Sequence, residues 1–254
     1  MIDLRNRVSL VTGSSRGIGR ATALKLAQAG SDVVVNYVSS KTAALETAKE
    51  IKRLGRQAWV VKADVSEELD ARELIGFINR EIGQLDNIVC NAATGGFRSL
   101  FDSETKHFER AMATNVLSLV YLAREARDLM INRPYRTKIV AISSHGADIA
   151  LPMYGLIGGS KAALESIARH LTLEVGHLGV NVNIVKAGLV KTDSTDRLPG
   201  AEEMFAGRVH KSMMGTRVLE ADDVANAVLF LVSPLSDLVQ GETLTVDGGS
   251  AIHV

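Results

Sequence analysis

Val8-Ser9-Leu10-Val11-Thr12-Gly13-Ser14-Ser15-Arg16-Gly17-Ile18-Gly19 is the stretch on which the fold turns. A short β-branched run enters a turn holding three glycines, and a segment of helical period leaves it from about residue 18. Such a turn aims backbone N–H groups and the positive end of a helix dipole at one point, which suits a pyrophosphate. Gly13, Gly17 and Gly19 let the backbone approach that group closely, with Ser15, Arg16 and Ile18 between them. An ordinary strand-to-helix turn carries such glycines too, so the surroundings have to decide.

Outward from this stretch the same alternation repeats. Asp32-Val33-Val34-Val35-Asn36 is followed by a helix from about Lys41, and further strands are predicted near 58–61, 87–90, 138–143, 180–185 and 243–246. Strands separated by helices pair in parallel through right-handed crossovers, and strands this apolar need both faces covered. The predicted fold is α/β: a doubly wound (Rossmann) parallel seven-stranded sheet with helices on both faces, in a single domain over 1–254. No linker, low-complexity segment or fixed repeat interrupts it. The least regular stretch, 189–219, is where a substrate-binding loop is expected.

With 254 residues, 46% of them hydrophobic, the chain can bury one full core. Lys plus Arg equals Asp plus Glu at 29 each, so net charge favours neither nucleic acid nor an anionic membrane as partner, and a small molecule is expected. The single cysteine, Cys90, rules out an internal disulfide and fits a reducing compartment. No basic residue adjoins it in sequence, so it reads as a small core residue rather than a nucleophile. The N-terminus lacks the long apolar core of an export signal, and no run approaches the ~20 apolar residues that span a bilayer. A soluble, cytoplasmic protein without a metal site is expected.

The residue that separates NAD from NADP belongs at the end of the second strand, where a carboxylate would bond the adenosine ribose 2′-hydroxyl. That place reads Asn36-Tyr37-Val38-Ser39-Ser40-Lys41, and Asp32 lies at the other end of the strand. No carboxylate repels a 2′-phosphate there, and Arg16, Ser39, Ser40 and Lys41 are suited to bind one beside Val38. NADPH is the expected cofactor. Lys41 reads equally as a solvated charge at a helix start.

Thr12-Gly13-x3-Gly17-x-Gly19, Asp64-Val65 after the third strand, Asn91-Ala92-Ala93 after the fourth, Asn115 on the next helix and Ser144 after the fifth come in a distinctive order and spacing. In these motifs the chain resembles the short-chain dehydrogenase/reductases from about residue 5 to its end. The resemblance implies that Asp64 and Val65 hold the adenine, Asn91 to Ala93 the adenosine ribose side, and Thr192, after Gly188, the nicotinamide end. It also implies a homotetramer, in which helices around 103–130 and 154–176 pack against copies of themselves. Asp64 can also be read as a helix cap before Ser66-Glu67-Glu68. Asn115 reads either as a tie between its helix and a water near Lys161 or as a polar core residue.

Most members of that family carry Tyr-x3-Lys, and counting back from Lys161 puts Ile157 where the tyrosine belongs. Isoleucine has no proton to give. Tyr154 lies one helical turn earlier, and at ~100° per residue seven steps bring Tyr154 and Lys161 to nearly one helix face, ~10 Å apart along the axis. Pro152 suits the first turn of that helix and places Tyr154 near its start. Tyr154-x6-Lys161, Asn36-Tyr37 and Val246-Asp247-Gly248-Gly249 resemble the NADPH-dependent bacterial enoyl-acyl-carrier-protein reductases of the FabL type. The resemblance implies reduction of a 2-enoyl thioester on acyl carrier protein or CoA, in fatty acid or polyketide-type biosynthesis, with Tyr154, Lys161 and Ser144 catalytic.

A displaced tyrosine has a physical rationale. Hydride delivered to C3 of an enoyl thioester makes negative charge appear on the thioester oxygen two carbons away, so the stabilising hydroxyl must sit farther along than in a ketone reductase. Ser144, ten residues before Tyr154, either assists carbonyl-type chemistry or satisfies local backbone at a strand end. His145 reads as a bystander. Met204, Phe205, Met213 and Met214 read as an acyl channel or as ordinary packing. Carbonyl reduction on the same scaffold is the alternative activity, and an inactive NADPH-binding protein the third reading.

Overall fold

A computed structural model describes residues 2–192, 195 and 200–252. Seven strands form one sheet: β1 (Val8–Val11), β2 (Asp32–Tyr37), β3 (Ala58–Lys62), β4 (Asn87–Cys90), β5 (Thr137–Ser144), β6 (Val180–Ala187) and β7 (Thr243–Val246). Their order is β3-β2-β1-β4-β5-β6-β7, and every pairing is parallel. The chain runs outward from β1 to β3, then returns to lay β4 on the other side of β1. That reversal opens a crevice at the carboxyl ends of β1 and β4, where sheets of this class bind their ligands.

Alternate strand residues serve opposite faces. Leu10, Val34, Ile88 and Ile139 enter one core, with α3 (Glu68–Glu81) among its helices, whereas Val11, Val33, Val35, Val89 and Val140 enter the other, under α1 (Gly17–Gln28) and α2 (Lys41–Arg53). The seven predicted strands and the starts of α1 and α2 agree with this architecture.

The stretch 103–130 differs from one long helix. It comprises α4 (Thr105–Met112), a π-helical turn (Ala113–Leu117), α5 (Ser118–Glu125) and the short α6 (Arg127–Met130). The π turn carries Asn115, whose amide is engaged away from its own helix. The next helix, α7 (Gly155–Val175), starts later than Pro152 suggests. Tyr154 is its N-cap, at φ −107° and ψ 4°, and the preceding Met153 is left-handed at φ 59°. Pro152 therefore lies outside the first turn, although Tyr154 does stand at the helix start. The last two helices are α8 (Ala201–Lys211) and α9 (Ala221–Val232), the latter on the α1 face of the sheet. No described helix is long and apolar enough to cross a membrane.

Candidate active site

A cleft of about 1780 Å³ opens at the carboxyl ends of the strands and runs from the β1–α1 turn to the start of α7. Every residue singled out above for cofactor or catalysis lines it: the glycine turn, Val38 to Ser40, Asp64 and Val65, Asn91, Ser144, Tyr154, Lys161 and Thr192. These come from six separate crossovers of the chain, and only the sheet brings them together.

The glycine turn is built for close approach. Gly13 and Gly17 have φ of 61° and 55°, a region that disfavours side chains. Gly19 has a packing reason instead: a Cβ there would stand 2.4 Å from Asn91 Nδ2 and 2.5 Å from the Gly13 carbonyl. Asn91 Nδ2 donates to the carbonyls of Thr12 at 2.9 Å and Gly13 at 3.2 Å, and the Thr12 hydroxyl accepts the N–H groups of Asn91 and Ala92. Asn91 thus clamps the turn through its side chain. Asn36, a clamp sequence reasoning missed, accepts the Gly13 N–H through Oδ1 and donates to the Ala63 carbonyl. Its only signal is a buried amide at the end of an apolar strand, which must find partners.

This turn fits the pyrophosphate of a dinucleotide. No side chain caps α1, no acid occupies its first turn, and the Arg16 guanidinium makes no ion pair with a described residue. Asp32 is occupied at the far end of β2 by Arg56 and the Gln57 N–H. Asp64 accepts the N–H and hydroxyl of Ser66 in a turn that faces the cleft, but the N-cap of α3 is Glu67, so Asp64 does not serve as the helix cap it could be read as.

At the other end, the Tyr154 hydroxyl donates to Ser144 Oγ at 3.1 Å. Burial raises the phenol's pKa, against the lowering effect of the Ser144 bond, so it holds its proton at neutral pH. The ring lies 5.3 Å from that of Phe97 and closes on Gly146, where a Cβ would stand 2.4 Å from it. Ile157 is 8% exposed and packs beneath Gly95. Lys161, 5% exposed, donates to the Ile142 carbonyl at 2.7 Å. Burial lowers its pKa to about 8, with Cys90 and Glu165 pulling the other way. A tyrosine hydroxyl, a serine hydroxyl and a buried ammonium therefore border one apolar-walled space.

A family model described as Enoyl-(Acyl carrier protein) reductase matches residues 13–251. The chain belongs to the short-chain dehydrogenase/reductase family. A 1-cyclohexenylcarbonyl-CoA reductase of Streptomyces collinus is 37% identical over 98% of this chain and 88% of its own. A short chain dehydrogenase from Burkholderia cenocepacia, solved in complex with NADP, superimposes with a TM-score of 0.89 at 31% identity, covering 97% of this chain and 98% of that one. The promiscuous reductase LugOII, which catalyses keto-reduction at C1 during lugdunomycin biosynthesis, gives 0.88 at 32% identity over 98% and 99%. The protein is an oxidoreductase, and a nicotinamide cofactor accords with both its family and its turn.

In this short-chain dehydrogenase/reductase several local readings resolve. Asn115 bonds the Thr94 backbone through both ends of its amide and donates to Ser160 Oγ at 2.8 Å, so it pins the β4 loop to α7 as a buried polar tie. Ser144 accepts the Gly146 N–H as well as the Tyr154 hydroxyl, so it meets the strand-end role and also faces the cleft. Burial pushes the Cys90 thiol up to about 12, in keeping with a core residue. Thr192 turns its methyl toward Gly17. Of the four apolar residues considered for an acyl channel, Met204 alone borders the cleft. Met213 and Met214 pack on Gly249 and Gly248, and Phe205 faces a separate cavity of about 50 Å³. Residues 193–194 and 196–199 of the expected substrate loop lie outside the described residues.

Sequence reasoning missed two buried pairs of ionisable side chains near Ser144. His145 is buried with Nε2 3.0 Å from Asp247 Oδ2, and burial lowers its pKa. Glu165 and Lys186 form a second buried pair at 3.2 Å. A carboxylate one turn beyond Lys161 and a lysine inside an apolar strand were the available signals. Among the described residues no cluster suits a metal ion.

Proposed function

We propose that this oxidoreductase uses NADPH to reduce the 2,3 double bond of an enoyl thioester, carried on CoA or acyl carrier protein, in fatty acid or polyketide-type biosynthesis. The observation that carries the reading is Tyr154 bordering the cleft one turn before the Tyr-x3-Lys position, which holds buried Ile157. The description of the matching family model supports it, as does the name of the Streptomyces collinus relative, which denotes a conjugated enoyl thioester.

NADPH, when bound, supplies the hydride. The Gly13–Gly19 turn with Ser15 and Ile18 receives the pyrophosphate; Arg16, Ser39 and Ser40 receive the 2′-phosphate beside Val38; Asp64 and Val65 flank the adenine. Asn91 supports the adenosine ribose side through the turn it clamps, and Thr192 serves the nicotinamide end. Lys161 holds the nicotinamide ribose hydroxyls, and its positive charge favours negative charge developing on the substrate. Once substrate is bound, Tyr154 turns its single O–H from Ser144 to the thioester oxygen, and Ser144 donates its own proton beside it. Ile149, Leu151 and Met204 offer an apolar wall to the acyl chain, with 189–219 as the substrate loop. The enzyme is proposed to act in the cytoplasm as a homotetramer.

NADPH oxidation with crotonyl and acetoacetyl thioesters in parallel tests the reaction. Enoyl reduction is expected, and Tyr154→Phe should cut it about 10²–10³-fold with NADPH affinity nearly unchanged, because only the hydroxyl leaves. Carbonyl reduction is the second reading, favoured by the direct Tyr154–Ser144 bond and by the likeness to LugOII. Reduction of acetoacetyl but not crotonyl thioester would put it first.

A further inference from the structure

Ser143 donates to a buried carboxylate that stands one helical turn beyond Lys161. Glu165 lies one turn beyond Lys161 on α7, and one of its oxygens accepts the Ser143 hydroxyl at 2.5 Å. The other lies 3.2 Å from Lys186 Nζ on β6, and both side chains are 8% exposed. Lys186 reaches on to Asp148, in the loop after Ser144 whose Ile149 and Ala150 line the cleft. Burial pulls the Lys186 pKa down, and the Asp148 and Glu165 carboxylates more than offset this, leaving it above the ordinary lysine range.

Taking two charges out of water is expensive, and well-packed apolar residues commonly serve a fold as well or better. The chemistry proposed above makes no use of this pair, yet it backs Ser144 through the neighbouring Ser143 and backs Lys161 through the helix. The groups that face Lys161 are the Ile142 carbonyl and Cys90 from the sheet and Glu165 from its own helix. Glu165 is the carboxylate among them.

We propose that Glu165 and Lys186 are positioning residues of this active site: through Ser143 they fix the strand end that presents Ser144, and Glu165 supplies the buried negative charge that keeps Lys161 an ammonium. The inference rests on the proposed roles of Ser144 and Lys161, but its first readout needs neither substrate nor cofactor.

That readout is an NMR titration of protein carrying ¹³C-labelled lysine, with Lys161→Arg identifying the Lys161 signal. Glu165→Gln is expected to lower the Lys161 midpoint by about one pH unit. Ser143→Ala, which leaves the charge in place, is expected to keep that midpoint and the NADPH affinity while lowering kcat about tenfold. If Glu165→Gln does not fold, Glu165→Gln with Lys186→Met removes both buried charges and should move the midpoint in the same direction. An unchanged midpoint in a folded variant overturns the electrostatic half of the proposal and leaves a structural ion pair. Unchanged kcat in Ser143→Ala overturns the positional half. A wild-type enzyme that ignores enoyl thioesters leaves the midpoint test standing, so the two failures are told apart.

Discussion

Lys161 is held in the folded protein near pH 8, whereas in an unfolded chain it titrates near 10.5. Below about 8 both states carry the proton, and the fold bears the full cost of a buried ammonium. Between about 8 and 10.5 the folded form sheds its proton first, so this group's penalty falls as pH rises. The penalty is on the order of 3 kcal/mol at neutral pH. Lys161→Met is therefore expected to stabilise the protein at pH 7 by about 1–3 kcal/mol while abolishing turnover, a trade typical of active sites. Urea denaturation beside an activity assay checks both, and loss of stability in this variant would mean that the Ile142 bond outweighs the burial. Since the proposed chemistry needs the ammonium, kcat/KM for NADPH, which reports the free enzyme, should fall as pH rises through about 8.

The turn between β1 and α1 acts as an element, because Asn36 and Asn91 brace it from the two strands that neighbour β1. Gly19→Ala would drive a Cβ into both the Asn91 amide and the Gly13 carbonyl, one of them backbone. A loss of about 2–4 kcal/mol and of cofactor binding is expected, measured by denaturation and NADPH fluorescence titration. Arg16 precedes the first helical residue and leaves the brace untouched, so Arg16→Ala should keep stability and weaken NADPH by about tenfold while sparing NADH. Equal loss for both cofactors would remove Arg16 from the 2′-phosphate.

On the scale of the whole molecule, one chain leaves apolar side chains uncovered on the helices named for self-association. Phe108 on α4 and Leu117 on the π turn stand exposed, as do Ile167 and Leu173 on α7, the last at 79%. Such surface on facing elements suits isologous contacts. Light scattering at micromolar concentration should report four chains. A monomer would refute the assembly.

Periodicity and turn chemistry are local, so the sequence by itself determined the alternation of seven strands with helices, the starts of α1 and α2, the glycine turn and part of the cleft lining. Hydrophobic alternation survives folding because the same water-driven burial acts on every strand. What only the tertiary structure decided concerns partners distant along the chain. Pro152 looked like a helix start, but the Tyr154 ring has to seat on Gly146 and Phe97, which holds Tyr154 at the N-cap outside the helix. The clamp that Asn91 sets on carbonyls 78 and 79 residues away, beside the ribose-side place the family resemblance implies for it, is visible only in the fold. Met213 and Met214 read either as an acyl channel or as ordinary packing, and the fold decides for packing, on the Gly248–Gly249 backbone. The pairing of Glu165 with Lys186 could not be read from the sequence, because the two partners lie on α7 and β6 and only their packing sets them 3.2 Å apart. A buried polar group is satisfied by whatever the fold brings within hydrogen-bond distance, and that is a property of three-dimensional packing, not of spacing along a chain.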